Sequence, residues 1–316
     1  MFARCALFFT IIGLAILISP TLAGVSHSKG KGKVSSGQET DQLVQIQRKD
    51  LRKLQNLYTP DGTKNYIAYM TISNYIRWLE QNPKLNDVKF YSLNGNFSDG
   101  TFLVTDGYAA SVDTFNESYD RLYRLLKLVD YSKNYFFMSI RTEIKPIFKR
   151  ALEEVNIEIT LDEPALLYYL PKNNALKFNI QVPEGIELRQ IRDSRDMEKV
   201  IAAYPHPRQN LQSYVEKLGK YNPQIGAFKK DDGTMVAWEF IYPSGLLGVL
   251  QTDPLYYGKG YAALITKYLS KQLAEMGFDV YTLIDEVNTP SRKLFGKLGF
   301  KSIGEIHWID TKVMYK

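Results

Sequence analysis

Cysteine is nearly absent from this chain. With Cys5 alone in 316 residues, an intramolecular disulfide and a multi-cysteine metal site are both excluded, and no thiol nucleophile exists beyond the first few residues. Histidine is scarce too, at three residues, and none of the spacings that gather zinc ligands is present. Charge of one sign is not dominant. The net charge is +6, part of it in the short run Lys29, Lys31 and Lys33. Such an excess suits anions in general, phosphorylated cofactors as readily as nucleic acid. No RNP-like or helix-turn-helix signature favours nucleic acid as a partner, and no short tandem repeat is found.

What is present is a globular composition, 45% hydrophobic and 23% charged, in a chain long enough for two domains of ordinary size. At the N-terminus, Arg4 precedes an apolar run from Cys5 to Ile18, followed by Ser19-Pro20-Thr21-Leu22-Ala23-Gly24. Small residues at Thr21 and Ala23 suit cleavage after Ala23, and the run is shorter than the roughly 18 to 20 apolar residues of a spanning helix. A removed signal peptide over 1–23 is therefore favoured over a membrane anchor. A mitochondrial transit peptide fits less well, since it would be amphipathic and Arg-rich. A secretory route would give meaning to the sequons Asn96-Phe97-Ser98 and Asn116-Glu117-Ser118, which chance also produces.

Residues 24–42 are rich in Ser, Gly and Lys and read as a flexible lead-in. Apolar residues at helical spacing then run from Leu43 to Leu57 and from Ile67 to Leu79. Strands are expected at 88–93 and 101–104, and helices at 119–128 and 141–154. The segment Leu170-Pro171-Lys172-Asn173-Asn174 marks a domain boundary near residue 175, giving an N-terminal α/β domain at 43–175 and a second domain at 176–316. In the second, strands are expected at 186–191, 224–229, 235–242, 246–252, 279–284 and 300–308. Helices are expected at 196–204, 211–218, 260–276 and 290–298. This is an α+β mixed sheet with helices on both faces.

The strongest local pattern is a strand ending in Leu250-Gln251-Thr252, then Asp253 to Tyr257, then Gly258-Lys259-Gly260 opening an amphipathic helix. Glycines there permit positive φ and close backbone approach, and a helix N-terminus offers unpaired N–H groups to an anion such as a diphosphate. Lys259 adds a point charge, and the small Ala262 leaves room. A tight turn before a helix asks for glycine on geometry alone, so the pair by itself leaves both readings open.

Downstream, Asn288-Thr289-Pro290-Ser291-Arg292-Lys293-Leu294-Phe295-Gly296-Lys297-Leu298-Gly299-Phe300 supplies a second pattern. With Tyr257-Gly258-Lys259-Gly260-Tyr261-Ala262 it resembles the two motifs of the GNAT acyltransferase superfamily, with tyrosine where Arg or Gln is usual. Val236-Ala237-Trp238-Glu239, Thr252-Asp253-Pro254 and Met276-Gly277-Phe278-Asp279-Val280-Tyr281 resemble its glycine N-acyltransferase-like branch, insect members especially. In the first half, Tyr75-Ile76-Arg77-Trp78 and Phe90-Tyr91-Ser92-Leu93-Asn94-Gly95 before Asp99-Gly100-Thr101-Phe102 do so too. The resemblance covers about residues 43–316. It implies a GNAT fold, mixed and mostly antiparallel, in the second half, preceded by a GNAT-like half that walls the substrate pocket or acts as scaffold.

It also implies acyl-CoA or acetyl-CoA as acyl donor and a small amine or amino acid, glycine-like, as acceptor. The thioester arm would lie along Leu250, Gln251 and Thr252 with Asn288 and Ser291 beside it, and the diphosphate would sit over 257–262. Asn288 serves equally as a helix cap. Proton transfer is the weak point. The glutamate of glycine N-acyltransferases falls on Leu246 and the tyrosine that many GNAT enzymes offer the leaving thiolate falls on Phe295. Glu239, followed by Asp253 and Tyr257, is the nearest group able to substitute as base, or else a paired strand residue. His206 reads as a loop histidine. The alternative to an N-acyltransferase is a secreted GNAT-scaffold binding protein that has lost turnover.

Overall fold

The structure is a computed structural model that describes residues 40–61, 63–204 and 210–314. The expected signal segment 1–23, most of the lead-in and His206 lie outside the described residues. The first half contains β1 (Leu43–Gln45), α1 (Leu51–Leu57), α2 (Tyr66–Gln81), β2 (Lys89–Leu93), β3 (Phe102–Thr105), β4 (Ala109–Asp113), α3 (Asp120–Leu126), β5 (Phe136–Arg141), α4 (Lys145–Glu154) and β6 (Ile157–Leu170). The second half contains α5 (Lys172–Ala175), β7 (Ile186–Arg189), α6 (Ser194–Ala202), α7 (Leu211–Tyr221), β8 (Gln224–Lys229), β9 (Met235–Ile241), β10 (Leu247–Thr252), α8 (Tyr261–Glu275), β11 (Val280–Asp285), α9 (Thr289–Lys297) and β12 (Lys301–Val313). Apart from the single turn of α5, the two halves repeat one order of elements.

Helical spacing from Leu43 onward suggested one helix to Leu57. The chain instead forms a helix only from Leu51, because residues 43–45 pair with β2 at the sheet edge, Leu43 opposite Leu93 and Gln45 opposite Tyr91. The last strand runs five residues past its expected end at Trp308.

The described strands form one sheet in the order β1-β2-β3-β4-β5-β12-β6-β11-β10-β9-β8-β7. Neighbours are antiparallel except β4 with β5 and β10 with β11. Its centre joins the halves by exchange. The final strand of each half lies next to the fifth strand of the other: β12 pairs with β5 and β6 pairs with β11. Between them β6 and β12 pair with one another from Lys301 opposite Tyr169 to Val313 opposite Ile157. The segment expected as a domain boundary is thus a short helix following a strand that both halves share. Residues 40–316 cluster as one compact unit.

Strand alternation sorts side chains onto two faces. Phe136, Trp238 and Trp308 join one buried cluster with residues of α1, α2, α6 and α7. Their neighbours Phe137 and Ile309 face α3 and α4, and Ala237 faces α8. Polar bonds seal the seam between the halves. The Asn222 side chain accepts from the Trp78 indole at 2.9 Å and from Arg77 at 2.7 Å while donating to the Ile241 carbonyl at 2.8 Å.

Because each half completes the other's sheet, residues 40–176 and 177–316 produced separately should show no cooperative thermal unfolding, while co-production should restore a soluble folded pair. A monomeric first half that unfolds cooperatively would contradict the exchange.

Candidate functional site

The strands β10 and β11 start together and then part. Leu247 opposite Thr282 is their only ladder pair, reinforced by the Thr282 hydroxyl donating to the Leu247 carbonyl at 3.1 Å. Beyond it β10 bulges, with its register against β9 shifting between Gly248 and Gln251. At the bulge Val249 has φ of 54°. A β-branched side chain is strained in that region, and such strain persists only where the surroundings impose it.

The imposed contact is a tyrosine. The Tyr242 hydroxyl lies beside the Val249 N–H and the Tyr204 hydroxyl. Its ring lies so close to the strand that a Cβ on Gly248 would fall 2.0 Å from it; only glycine admits the ring here. Burial raises both phenols above their usual range, Tyr204 strongly, so both hold their protons at neutral pH.

The splay opens into a cavity of about 290 Å³, at the lower end of ligand pockets. Four of the expected site residues line it, Leu250, Gln251, Asn288 and Ser291, together with Phe295. The Asn288 side chain caps α9 by accepting from the Ser291 N–H at 3.1 Å, which leaves its amide N–H groups for a ligand. Thr252 and the turn 257–262 lie outside the cavity lining, further along β10 and at the start of α8.

That turn has the form an anion requires. Gly258 and Gly260 hold φ of 75° and 84°, and no atom lies within 4 Å of where a Cβ on either would stand. No side chain caps α8, and the N–H groups of Tyr261, Ala262 and Ala263 find no backbone acceptor. Fifteen helical residues stand behind them, so the helix dipole adds to the three free donors. Lys259 rides over the Tyr256 ring, 5.0 Å from its centroid. The Tyr257 side chain, in the place of the usual Arg or Gln, is 60% exposed. The residues present therefore fit a diphosphate at the turn and a thioester arm in the splay.

In the first half the corresponding place is closed. The strands β4 and β5 also begin parallel and part, but Arg141 donates to Asp113 at 2.7 Å and to the Thr114 carbonyl at 2.9 Å across the gap. No glycine precedes α3, and Asp120 puts a negative charge in its first turn.

None of the expected proton acceptors reaches the cavity. Glu239 is fully buried. It alternates with Trp238 along β9 and so faces α8 on the opposite side of the sheet, where neither carboxyl oxygen has a hydrogen-bond partner. Burial pushes its pKa far above the ordinary 4.5, and the Thr266 hydroxyl, outside hydrogen-bonding geometry, opposes this only weakly. Asp253 is held ionised by Lys199 at 2.6 Å and caps the next turn through the Leu255 N–H. Leu246 is buried with Tyr66, Met70 and Tyr281. Sequence reasoning missed other residues of the lining: Phe136, Tyr204, Tyr242 and Trp308, with Asp285 at the end of β11. Phe136 and Trp308 reach the cavity from β5 and β12, which only the strand exchange brings there.

A neutral buried Glu239 makes a signed prediction. The folded state holds this proton more tightly than the unfolded chain, so its favourable contribution is complete below about pH 4.5 and lost as pH rises. The slope of Tm against pH above 4.5 should therefore flatten in Glu239→Gln. An unchanged slope, or a lost CoA affinity, would contradict the placement of this residue.

Comparison with known proteins bears on the fold. Residues 224–309 match the family described as FR47-like protein. The crystal structure of a Drosophila protein is similar, with a TM-score of 0.75 at 19% identity, covering 85% of this chain and 98% of that one. A tandem GNAT protein from the clavulanic acid biosynthesis pathway gives 0.52 at 13% identity over 86% and 97% of the two chains. A GCN5-related N-acetyltransferase from Sphaerobacter thermophilus gives 0.51 at 14% identity over 87% and 96%. No curated protein matches the sequence. The two-fold element order, the splayed strands and these similarities together give the chain the tandem fold of the GNAT acetyltransferase superfamily, with the FR47-like segment in its second half.

Proposed function

We propose that this protein is an acyl-CoA-dependent N-acyltransferase that moves an acyl group from the CoA thioester directly to the amine of a small acceptor, glycine-like in the resemblance. The observation that supports this most is the coincidence of the uncapped α8 N-terminus with the splay of β10 from β11. One end fits a diphosphate and the other leads the thioester into a cavity beside the Val249 bulge. CoA contributes the thioester, whose carbonyl carbon is open to attack by a neutral amine.

The chain's own part is orientation and charge stabilisation. The N–H groups of Tyr261, Ala262 and Ala263 hold phosphate oxygens, while the stretch of β10 from Val249 to Gln251, which has no ladder partner on β11, and the Asn288 amide hold the pantetheine. Backbone donors at a bulge polarise the thioester carbonyl as its oxygen takes up charge, an effect whose loss costs about 10²- to 10³-fold in rate. Tyr242 answers the absence of a phenol at Phe295. It lines the cavity, and burial holds its proton on, so it can donate to a group there. We assign it to the sulfur as the thiolate leaves. The amine loses one proton to form the amide and the sulfur gains one to leave as thiol. The apolar run before Gly24 supports a secretory site of action.

Titration calorimetry with CoA should give binding that Gly260→Val weakens by at least about tenfold, since a side chain would enter the diphosphate position at a positive φ. Tyr242→Phe should bind CoA as the parent does yet lower kcat by about 10²-fold. Absence of CoA binding at millimolar ligand would overturn the assignment of the site. An unchanged kcat would remove Tyr242 from the chemistry.

A further inference from the structure

The far wall of the cavity carries a chemical signature of its own. Phe136, Tyr204, Trp238, Tyr242 and Trp308 line it, and Asp285 is the one charged side chain among the described lining residues. The rings are held in place by one another. Trp308 stacks on Phe136 at 5.6 Å between centroids with planes 16° apart, and meets Tyr242 edge-on at 5.8 Å. Asp285 ends β11, two residues after Leu283 on the same face, and its charge is felt at the Tyr242 hydroxyl. The Trp238 indole N–H is buried and has no hydrogen-bond partner, so this wall also holds an unmet donor.

An acceptor bearing a carboxylate would meet a like charge at Asp285, no described lining cation, and the electron-rich faces of several rings. An ammonium meets the opposite. Asp285 attracts it, and aromatic faces add cation–π attraction, strongest with tryptophan. A ring on the acceptor has flat partners to pack on.

From this we propose that the acceptor is an aromatic primary amine without a carboxylate, an arylalkylamine, rather than glycine or another amino acid, with Asp285 as the specificity-determining residue. This rests on the acyl-transfer reading above and narrows it.

Tyramine and tyrosine, which differ by the carboxylate alone, are the matched probes, with glycine as the third acceptor and acetyl-CoA as donor. Product is followed by mass spectrometry. Binding is followed separately by intrinsic fluorescence, since two of the three tryptophans, Trp238 and Trp308, line the cavity. The proposal expects kcat/KM for tyramine to exceed that for tyrosine and glycine by at least about tenfold, and Asp285→Asn to erase most of that preference by raising KM for tyramine. Asp285 is exposed, so the variant should fold. Equal or better acylation of tyrosine or glycine would overturn the acceptor class and leave acyl transfer standing. CoA binding with no amine acylated would instead overturn acyl transfer. The fluorescence titration then decides the class: quenching by tyramine and not tyrosine supports it, and any other pattern overturns it.

Discussion

The pairing of β6 with β12 is the constraint from which the rest of the molecule follows. Each is the last strand of its half, and each is placed beside the fifth strand of the other. A strand inserted in this way supplies partners for backbone groups that would otherwise be an open edge, so the two halves are bound by main-chain hydrogen bonds as well as by side chains. The exchange also decides what the cavity is made of. Trp308 belongs by sequence to the second half, yet it stacks on Phe136 of the first. The wall facing the splayed strands is therefore assembled from both halves.

The second constraint is local and strained. Val249 stands at a positive φ that its side chain disfavours, next to Gly248, a position that only glycine can fill because the Tyr242 ring lies over it. The outcome is a β10 that turns away from β11 and leaves backbone groups free, which a regular strand would have used in the ladder. The same departure that costs pairing energy opens the cavity. The first half has no such opening. There an ion pair, Arg141 with Asp113, spans the gap between the strands, and Tyr119 stands at the helix N-cap where the second half has Gly260.

Much of the second half was legible because its signals are local. Gly258 and Gly260 before a long amphipathic run specify a turn and helix, and the apolar runs at 224–229 and 235–241 are bounded by the turn residues Asn222-Pro223 and Asp231-Asp232-Gly233. In the first half β5 was not legible, since Phe136 to Ile140 is buried on both faces and shows no alternation. β6 was hidden for another reason. It alternates, but Pro164 interrupts it. The structure tolerates that proline because β11 pairs only from Ala165 onward, so no partner is present on that side to miss its N–H. Of the cavity lining, Leu250, Gln251, Asn288 and Ser291 were readable and the aromatic wall was not, because strand exchange and the hairpin that swings Tyr242 over Gly248 are tertiary facts. Glu239 shows the converse error. As the nearest carboxylate on a neighbouring strand it was expected to serve as base, and the pleat sends it to the face opposite its neighbour Trp238.

The central claim is that one end of the second half binds acyl-CoA with its thioester at the bulge. A crystal structure with CoA or a non-hydrolysable thioester analogue tests it most directly. The account predicts the diphosphate on the N–H groups of residues 261–263, the pantetheine between β10 and β11, and the sulfur within hydrogen-bonding reach of the Tyr242 hydroxyl. Ligand density between β4 and β5 of the first half, or a pantetheine that leaves the Val249 bulge untouched, would contradict it.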